Sequence, residues 1–141
     1  FAANAGSTKE IREKADMLLL KMYVENAKDR LPSQVSGGEA QRAAIARAMI
    51  GNPGLLFADE PTGALNKANS EEVMNLLTGL NHDGQSILMV THDVRAAIHG
   101  NRILYLEDGK ILDELNLPPY GNDDLVLREN KVLDWLSSLG W

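Results

Sequence analysis

Apolar residues recur at helical spacing near the start of the chain, at Ile11, Ala15, Leu18 and Met22. Ser7, with Glu10 three residues on, has the form of a capping box, so a helix is expected over about residues 8–23. Asp29-Arg30-Leu31-Pro32 reads as a turn. A second box, Ser36 with Glu39, precedes Ala40, Ala43, Ala44 and Ala48 on one helical face. That helix is expected over about 39–50 and stops at Gly51-Asn52-Pro53, where glycine ends it and proline blocks resumption. The periodicity then changes. Leu55-Leu56-Phe57-Ala58 is a short continuous apolar run between breakers, which suits a strand buried on both faces of a parallel sheet. Asn69 and Glu72 are expected to cap a third helix, over about 70–80, with Val73, Leu76, Leu77 and Leu80 inward.

Ser86-Ile87-Leu88-Met89-Val90 is a second apolar run, followed by a short helix to about Ile98. Ile103–Leu106 and Ile111-Leu112 flank Asp108-Gly109, a strong hairpin signal. Beyond Pro118-Pro119, Leu125, Val132, Leu136 and Leu139 share a helical face, which predicts a docking helix in a C-terminal tail. Helices alternating with apolar strands, with the hairpin last, give an α/β layered fold. No internal repeat or low-complexity segment is found in the sequence.

Composition narrows this modestly. At 141 residues and 44% hydrophobic content, the chain can bury one core. No apolar run approaches the length that crosses a bilayer, so a membrane role calls for a partner. The absence of cysteine excludes disulfides and thiolate metal sites and fits a reducing cytosol. A net charge of −6 weighs against sequence-independent nucleic-acid binding, so no nucleic-acid partner is expected. The opening Phe-Ala-Ala-Asn-Ala-Gly reads as a trimmed end, with no secretory signal.

The candidate chemistry lies where elements begin and end. Gly37 and Gly38 directly follow Ser36, so a ligand could approach the first turn of that helix closely. Backbone N–H groups, a hydroxyl and the positive end of the helix dipole together favour a phosphate, although a capping box alone marks only a helix start. Asp59 and Glu60 follow the first strand directly, and His92 follows the second. Ligands of α/β sheets gather at the carboxyl ends of strands. An aspartate there can hold Mg²⁺, the next carboxylate can polarise an attacking water, and the histidine could reach a γ-phosphate. His82 and His99 sit in turn or helix-end contexts and read as ordinary polar residues.

The combination is more specific than its parts. Val35-Ser36-Gly37-Gly38-Glu39, continued by Gln41-Arg42, resembles the signature motif of ABC-type ATPases. Leu55-Leu56-Phe57-Ala58-Asp59-Glu60-Pro61 resembles their Walker B strand and catalytic glutamate, Thr62-Gly63-Ala64-Leu65-Asn66 their D-loop, and Thr91-His92-Asp93 their switch histidine. Order and spacing agree over roughly residues 7–115. The resemblance implies two domains paired head to tail with ATP sandwiched at each interface, driving a separate integral membrane permease. It implies that Asp59 supports Mg²⁺, that Glu60 is the general base and that His92 contacts the γ-phosphate. It also implies that Ser36, Gly37, Gly38 and Glu39, with Asn66, meet the nucleotide held by the partner. Such a subunit would lie in the cytoplasm, peripheral on the inner face of the cell membrane. Asp-Glu-Pro-Thr-Gly at 59–63 is similar to the subgroup serving lipoprotein release, macrolide efflux and peptide-antibiotic resistance.

Two departures stand out. The D-loop of this family ends in aspartate, and here the position is Asn66, which loses the charge and gains donors. The phosphate-cradling G-x-x-x-x-G-K-[ST] loop finds no true match, since Gly79–Ser86 has glutamine for lysine and runs from a helix into a strand. The expected fold is therefore a partial P-loop NTPase domain: parallel strands, flanking helices and a C-terminal hairpin. Residues 1–117 would form the C-terminal half of the ATPase domain and 118–141 a tail. Such a half would expose apolar sheet surface and would not turn over ATP alone. A DNA-repair or chromosome-associated ATPase, and an inert interaction fragment, are the alternatives. The former usually carries coiled-coil or zinc insertions, and neither heptads nor cysteines occur here.

Overall fold

The computed structural model describes residues 7–121 and 125–141, so the opening Phe1–Gly6 segment and the Asn122–Asp124 part of the tail lie outside the described residues. Two compact units are present, Phe1–Val90 and Thr91–Trp141. The first contains α1 (Thr8–Lys21), α2 (Gly37–Met49), β1 (Leu55–Asp59), α3 (Lys67–His82) and β2 (Ser86–Val90). The second contains α4 (Val94–Ala97), β3 (Arg102–Glu107), β4 (Lys110–Asn116) and α5 (Leu125–Ser138).

Both capping boxes form as expected. The Ser7 amide donates to Glu10 Oε2 at 2.6 Å and the Ser36 amide to Glu39 Oε2 at 2.8 Å, while each serine hydroxyl accepts the glutamate amide. Helix α1 buries none of its apolar residues fully, with Ile11, Leu18 and Leu19 half-buried and Met17 and Leu20 exposed, and Met22, just past its end, is fully buried. It closes with the Val24 amide on the Leu19 carbonyl and the Tyr23 amide on the Leu20 carbonyl, a Schellman motif that puts Tyr23 at φ 56°. Helix α3 closes in the same way around Gly84, the residue type that takes this conformation freely.

Three expectations need correction. The buried face of α2 is Gly38, Arg42, Ile45 and Ala46, whereas Ala40 and Ala48 are exposed. Alanine is small enough for either side, so the face is chosen by where α3 can approach. Helix α3 starts three residues before the expected range, at Lys67, and is capped by Asn66 instead of Asn69; the Asn66 side-chain oxygen accepts the Asn69 amide at 2.9 Å. The strands are not buried on both faces. They pair in parallel, with Phe57 opposite Leu88 and Asp59 opposite Val90. One face carries the buried Leu56 with the half-buried Ala58, Ile87 and Met89. The other carries Leu55, Phe57, Leu88 and Val90, with Phe57 71% and Val90 57% exposed. Apolar sheet surface is thus exposed, as a partial domain implies. Of the inward face expected of α3, Val73, Leu77 and Leu80 are buried beside Met74, while Leu76 is half-buried.

In the second unit, Asp108 (φ 48°) and Gly109 (φ 73°) form the two-residue turn of the antiparallel β3–β4 hairpin. Ile98, Leu117, Val132 and Leu136 form its core, with Trp135 and Tyr105 edge to face at 6.4 Å. The expected tail helix is present, but Leu125 is exposed, and the buried position one turn further on is taken by Arg128.

Candidate functional site

The capping box decides what the start of α2 can offer. Ser36 Oγ accepts the Glu39 amide at 3.2 Å, which leaves its own hydroxyl hydrogen available for donation. Gly37 and Gly38 are the first two helical residues, whose amides have no acceptor within the helix. Glu39 is engaged at the helix start itself. Its carboxylate is taken by the Ser36 amide and by Arg30 Nη1 at 3.3 Å. The Ser36 backbone and side-chain hydrogen bonds hold its pKa below the usual carboxylate value, with Arg30 and Arg42 adding smaller pulls. Arg30 offsets the negative charge that would otherwise repel an anion at this helix end.

The glycines have a second reason to be there. A Cβ on Gly37 would stand 3.2 Å from Leu65 Cδ2, and one on Gly38 would stand 2.8 Å from Asn69 Cγ and 2.9 Å from its Oδ1. Four residues beyond Gly38, Arg42 is 9% exposed and ion-pairs through Nη1 with Glu72 Oε2 at 2.5 Å. The starts of α2 and α3 therefore lie against each other, and the sequence-predicted residues Ser36–Glu39 and Asn66 are brought together by these contacts. Leu65, Asn69, Arg42 and Glu72 carry the juxtaposition; the sequence places Arg42 and Leu65 in motifs and Asn69 and Glu72 at a helix start, but points to none of them as a contact between the two helices. Their only signal is matched spacing, Gly38/Arg42 against Leu65/Asn69/Glu72.

Asp59 is the last residue of β1 and lies on the open face with Phe57. Glu60 turns the chain out of the strand at φ 43°, a conformation that side-chain-bearing residues adopt at a cost of about 1–2 kcal/mol. Its amide donates to the Val90 carbonyl at 2.8 Å, extending the parallel ladder by one bond. The Gly63 amide closes a turn on the Glu60 carbonyl at 3.1 Å, and Thr62 within it is buried. The glutamate is thereby held at a fixed position past the strand end, where a strained conformer is characteristic of functional sites.

His92 belongs to the second unit, two residues beyond β2. Next to it, Asp93 caps α4 through the Arg95 amide at 2.9 Å and is gripped by the Arg95 guanidinium at 3.1 and 3.2 Å. The Arg95 side-chain bonds, more than any other contact, lower the Asp93 pKa. Among the described residues, no three His, Asp or Glu side chains gather as a metal cage. Asp59, on the open face at the end of β1, would offer a divalent ion a carboxylate. That suits Mg²⁺, which commonly takes one or two protein carboxylates and completes its shell with phosphate oxygens and water.

Comparisons with known proteins bear on this arrangement. Residues 2–63, which include the Ser36–Glu39 and Asp59–Glu60 segments, match the family model described as ABC transporter. A macrolide export ATP-binding/permease protein from Pasteurella multocida is 44% identical over 100 residues, 71% of this chain and 15% of that protein. Its namesake from Chlorobium luteolum is 40% identical over 135 residues, 92% of this chain and 20% of that protein. The chain thus spans a fifth or less of these two relatives. A dimeric ATP-binding cassette solved in a post-hydrolysis state with ADP and Pi is 41% identical, with a TM-score of 0.70 over 84% of this chain and 52% of that one. The cbiO1 protein of Clostridium perfringens, part of an ABC transporter complex, is 28% identical, with a TM-score of 0.74 over 96% of this chain and 53% of that one. Among the described residues, no helix is long and apolar enough to cross a membrane. By its motifs, its mixed α/β fold and these likenesses, the chain belongs to the ABC transporter ATP-binding domain family.

Proposed function

We propose that this chain supplies the signature-bearing half of an ATP-hydrolysing site that drives a membrane permease. The observation that carries the reading is the 41% identity, across most of the chain, to a cassette solved as a dimer with ADP and Pi. The phosphate-cradling loop and its lysine come from a segment outside these 141 residues. Two such domains close head to tail on ATP, and the closure moves the permease at the inner face of the cell membrane. The two macrolide-export relatives, each named as an ATP-binding/permease protein, support this pairing of functions. Cargo is then selected by the permease. The 141 residues alone are expected to be inactive.

Each side chain has a task in this reading. Glu60, projecting beyond β1, takes the proton from the attacking water as general base. Asp59 holds Mg²⁺, which when bound neutralises charge on the phosphate oxygens. His92 donates a hydrogen bond toward the γ-phosphate and helps fix its orientation. The Ser36 hydroxyl and the Gly37 and Gly38 amides close on the γ-phosphate of a nucleotide held by the opposing domain. Glu39 supports them through the capping box, and Asn66 sets the start of α3 beside them. In the assembled transporter, Glu60→Gln should lower ATP turnover by about a hundredfold or more while ATP still binds. Measurable hydrolysis by the purified 141-residue chain, lost on Glu60→Gln, would overturn the assignment of the phosphate-binding loop to another segment. Unchanged turnover of the assembled Glu60→Gln variant would overturn the role of Glu60.

A further inference from the structure

The two signature glycines are read most simply as openings for a ligand. The geometry gives Gly38 a different requirement. Its Cα faces Asn69, and a methyl group there would meet Asn69 Cγ at 2.8 Å, Oδ1 at 2.9 Å and Cβ at 3.2 Å. Real Cβ contacts essentially never fall below 3.0 Å, so either the Asn69 side chain turns away or the helix start behind it shifts. The Asn69 backbone amide is held by the Asn66 cap at 2.9 Å, which fixes the backbone from which that side chain projects. One turn along, the Arg42–Glu72 pair at 2.5 Å, with Arg42 buried, ties the same two helices. At the other end, Leu65 Cδ2 lies against Gly37.

We propose that Asn69 is a positioning residue for the signature segment: its side chain, seated on Gly38, sets where Ser36 and the amides of Gly37 and Gly38 stand relative to the start of α3. The signature and the D-loop are then one rigid edge, presented to the nucleotide together. This rests on the reading that Ser36–Gly38 close on a phosphate. Glycine at 38 is needed because Asn69 occupies the space of a Cβ, not because the ligand does.

The test compares wild type, Gly38→Ala, Asn69→Ala and the double variant in the assembled, ATP-hydrolysing transporter, measuring kcat, KM for ATP and melting temperature for each. The phosphate-binding loop of the opposing domain holds most of the nucleotide, so a displaced signature lowers kcat and leaves KM within about threefold. A displacement near 1 Å corresponds to a loss of up to about a hundredfold, expected for Gly38→Ala. Asn69→Ala should cost about two- to fivefold, because the edge loses its stop. The double variant keeps only the 3.2 Å contact with Cβ and should recover to within about fivefold of wild type. A double variant no better than Gly38→Ala, or a Gly38→Ala variant with wild-type kcat, overturns the proposal. So does a loss in kcat that tracks melting temperature across all four proteins, which would make the contact merely structural. A wild-type assembly that hydrolyses no ATP overturns the functional reading itself, and the role of Asn69 with it.

Discussion

Arg128 provides the most direct test of what organises the second unit. It is 7% exposed, and its guanidinium donates to three backbone carbonyls: Ile98 through Nε, Gly100 through Nη2 at 2.7 Å and Pro118 through Nη1 at 2.8 Å. Its cationic head also lies 5.5 Å from the centre of the Tyr120 ring, which stacks on His99 at 3.9 Å. Helix α5 is thereby fastened to the end of α4 and to the segment that leaves β4. Arg128→Met keeps the apolar stem and removes the head, leaving three carbonyls short of a donor. Hydrogen bonds from a charged donor contribute about 1.5 kcal/mol or more each, and removing the buried charge returns part of that as relieved desolvation. A net loss of about 3 kcal/mol is expected. Both tryptophans, Trp135 and Trp141, lie in this unit, so tryptophan fluorescence during urea unfolding reports on it alone. With a slope of about 1 kcal/mol per molar, the midpoint should fall by about 2–3 M. Arg128→Lys, which keeps the charge but not the planar fork, should fall between the two. A midpoint shift under about 0.5 M for Arg128→Met would mean that the fork contributes little and that the apolar contacts of Val132 and Leu136 hold α5 without it.

Further outcomes follow from the same structure. Burial, with the Arg128 charge as the second cause, pushes the His99 imidazole down to about 4 from 6.5. Its folded pKa lies below its unfolded value, so the unfolded chain binds the proton more readily and stability falls as pH drops from about 6.5 to about 4. The ring is partly exposed, so solvent screening limits the effect to about 1–2 kcal/mol; an equally steep profile in His99→Gln would remove His99 as the source. Tyr23 is 80% exposed in a left-handed conformation that Gly84 fills at the end of α3, so Tyr23→Gly should raise stability by up to about 1 kcal/mol. A lower melting temperature would mean that the ring has contacts worth more than the strain. Asn66→Ala should cost about 1 kcal/mol by opening the α3 cap, whereas Asn66→Asp should be neutral or slightly stabilising at a helix N-terminus; equal losses in both would argue against capping. The 141-residue chain should self-associate in size-exclusion chromatography through the open β1–β2 face, and Phe57→Ser should reduce this without lowering the melting temperature by more than a few degrees.

What the sequence made legible was local. The Ser7/Glu10 and Ser36/Glu39 boxes, the Asp108-Gly109 hairpin and the inward face of α3 each depend on residues within a turn or two of one another. The misses involve a partner far along the chain. The face of α2 could not be chosen among alanines, because Glu72 and Asn69 select it from thirty residues or so away. The burial of Arg128 within an apolar stripe has no sequence signal, because its three acceptors are backbone carbonyls that no side chain announces. Asn66 reads from sequence as a D-loop aspartate that has lost its charge, yet as an N-cap the amide is as good an acceptor as the carboxylate. The glycines show the same limit in its sharpest form. A glycine states that a Cβ is unwelcome without saying what displaces it. For Gly38 a ligand and a neighbouring helix make the same demand on the sequence, and only the 2.8 and 2.9 Å separations of a Cβ there from the Asn69 side chain show that the helix makes it too. A substitution there that abolishes activity is therefore not by itself evidence of phosphate contact. The inference needs the second change, at Asn69, that removes one of the two demands and leaves the other.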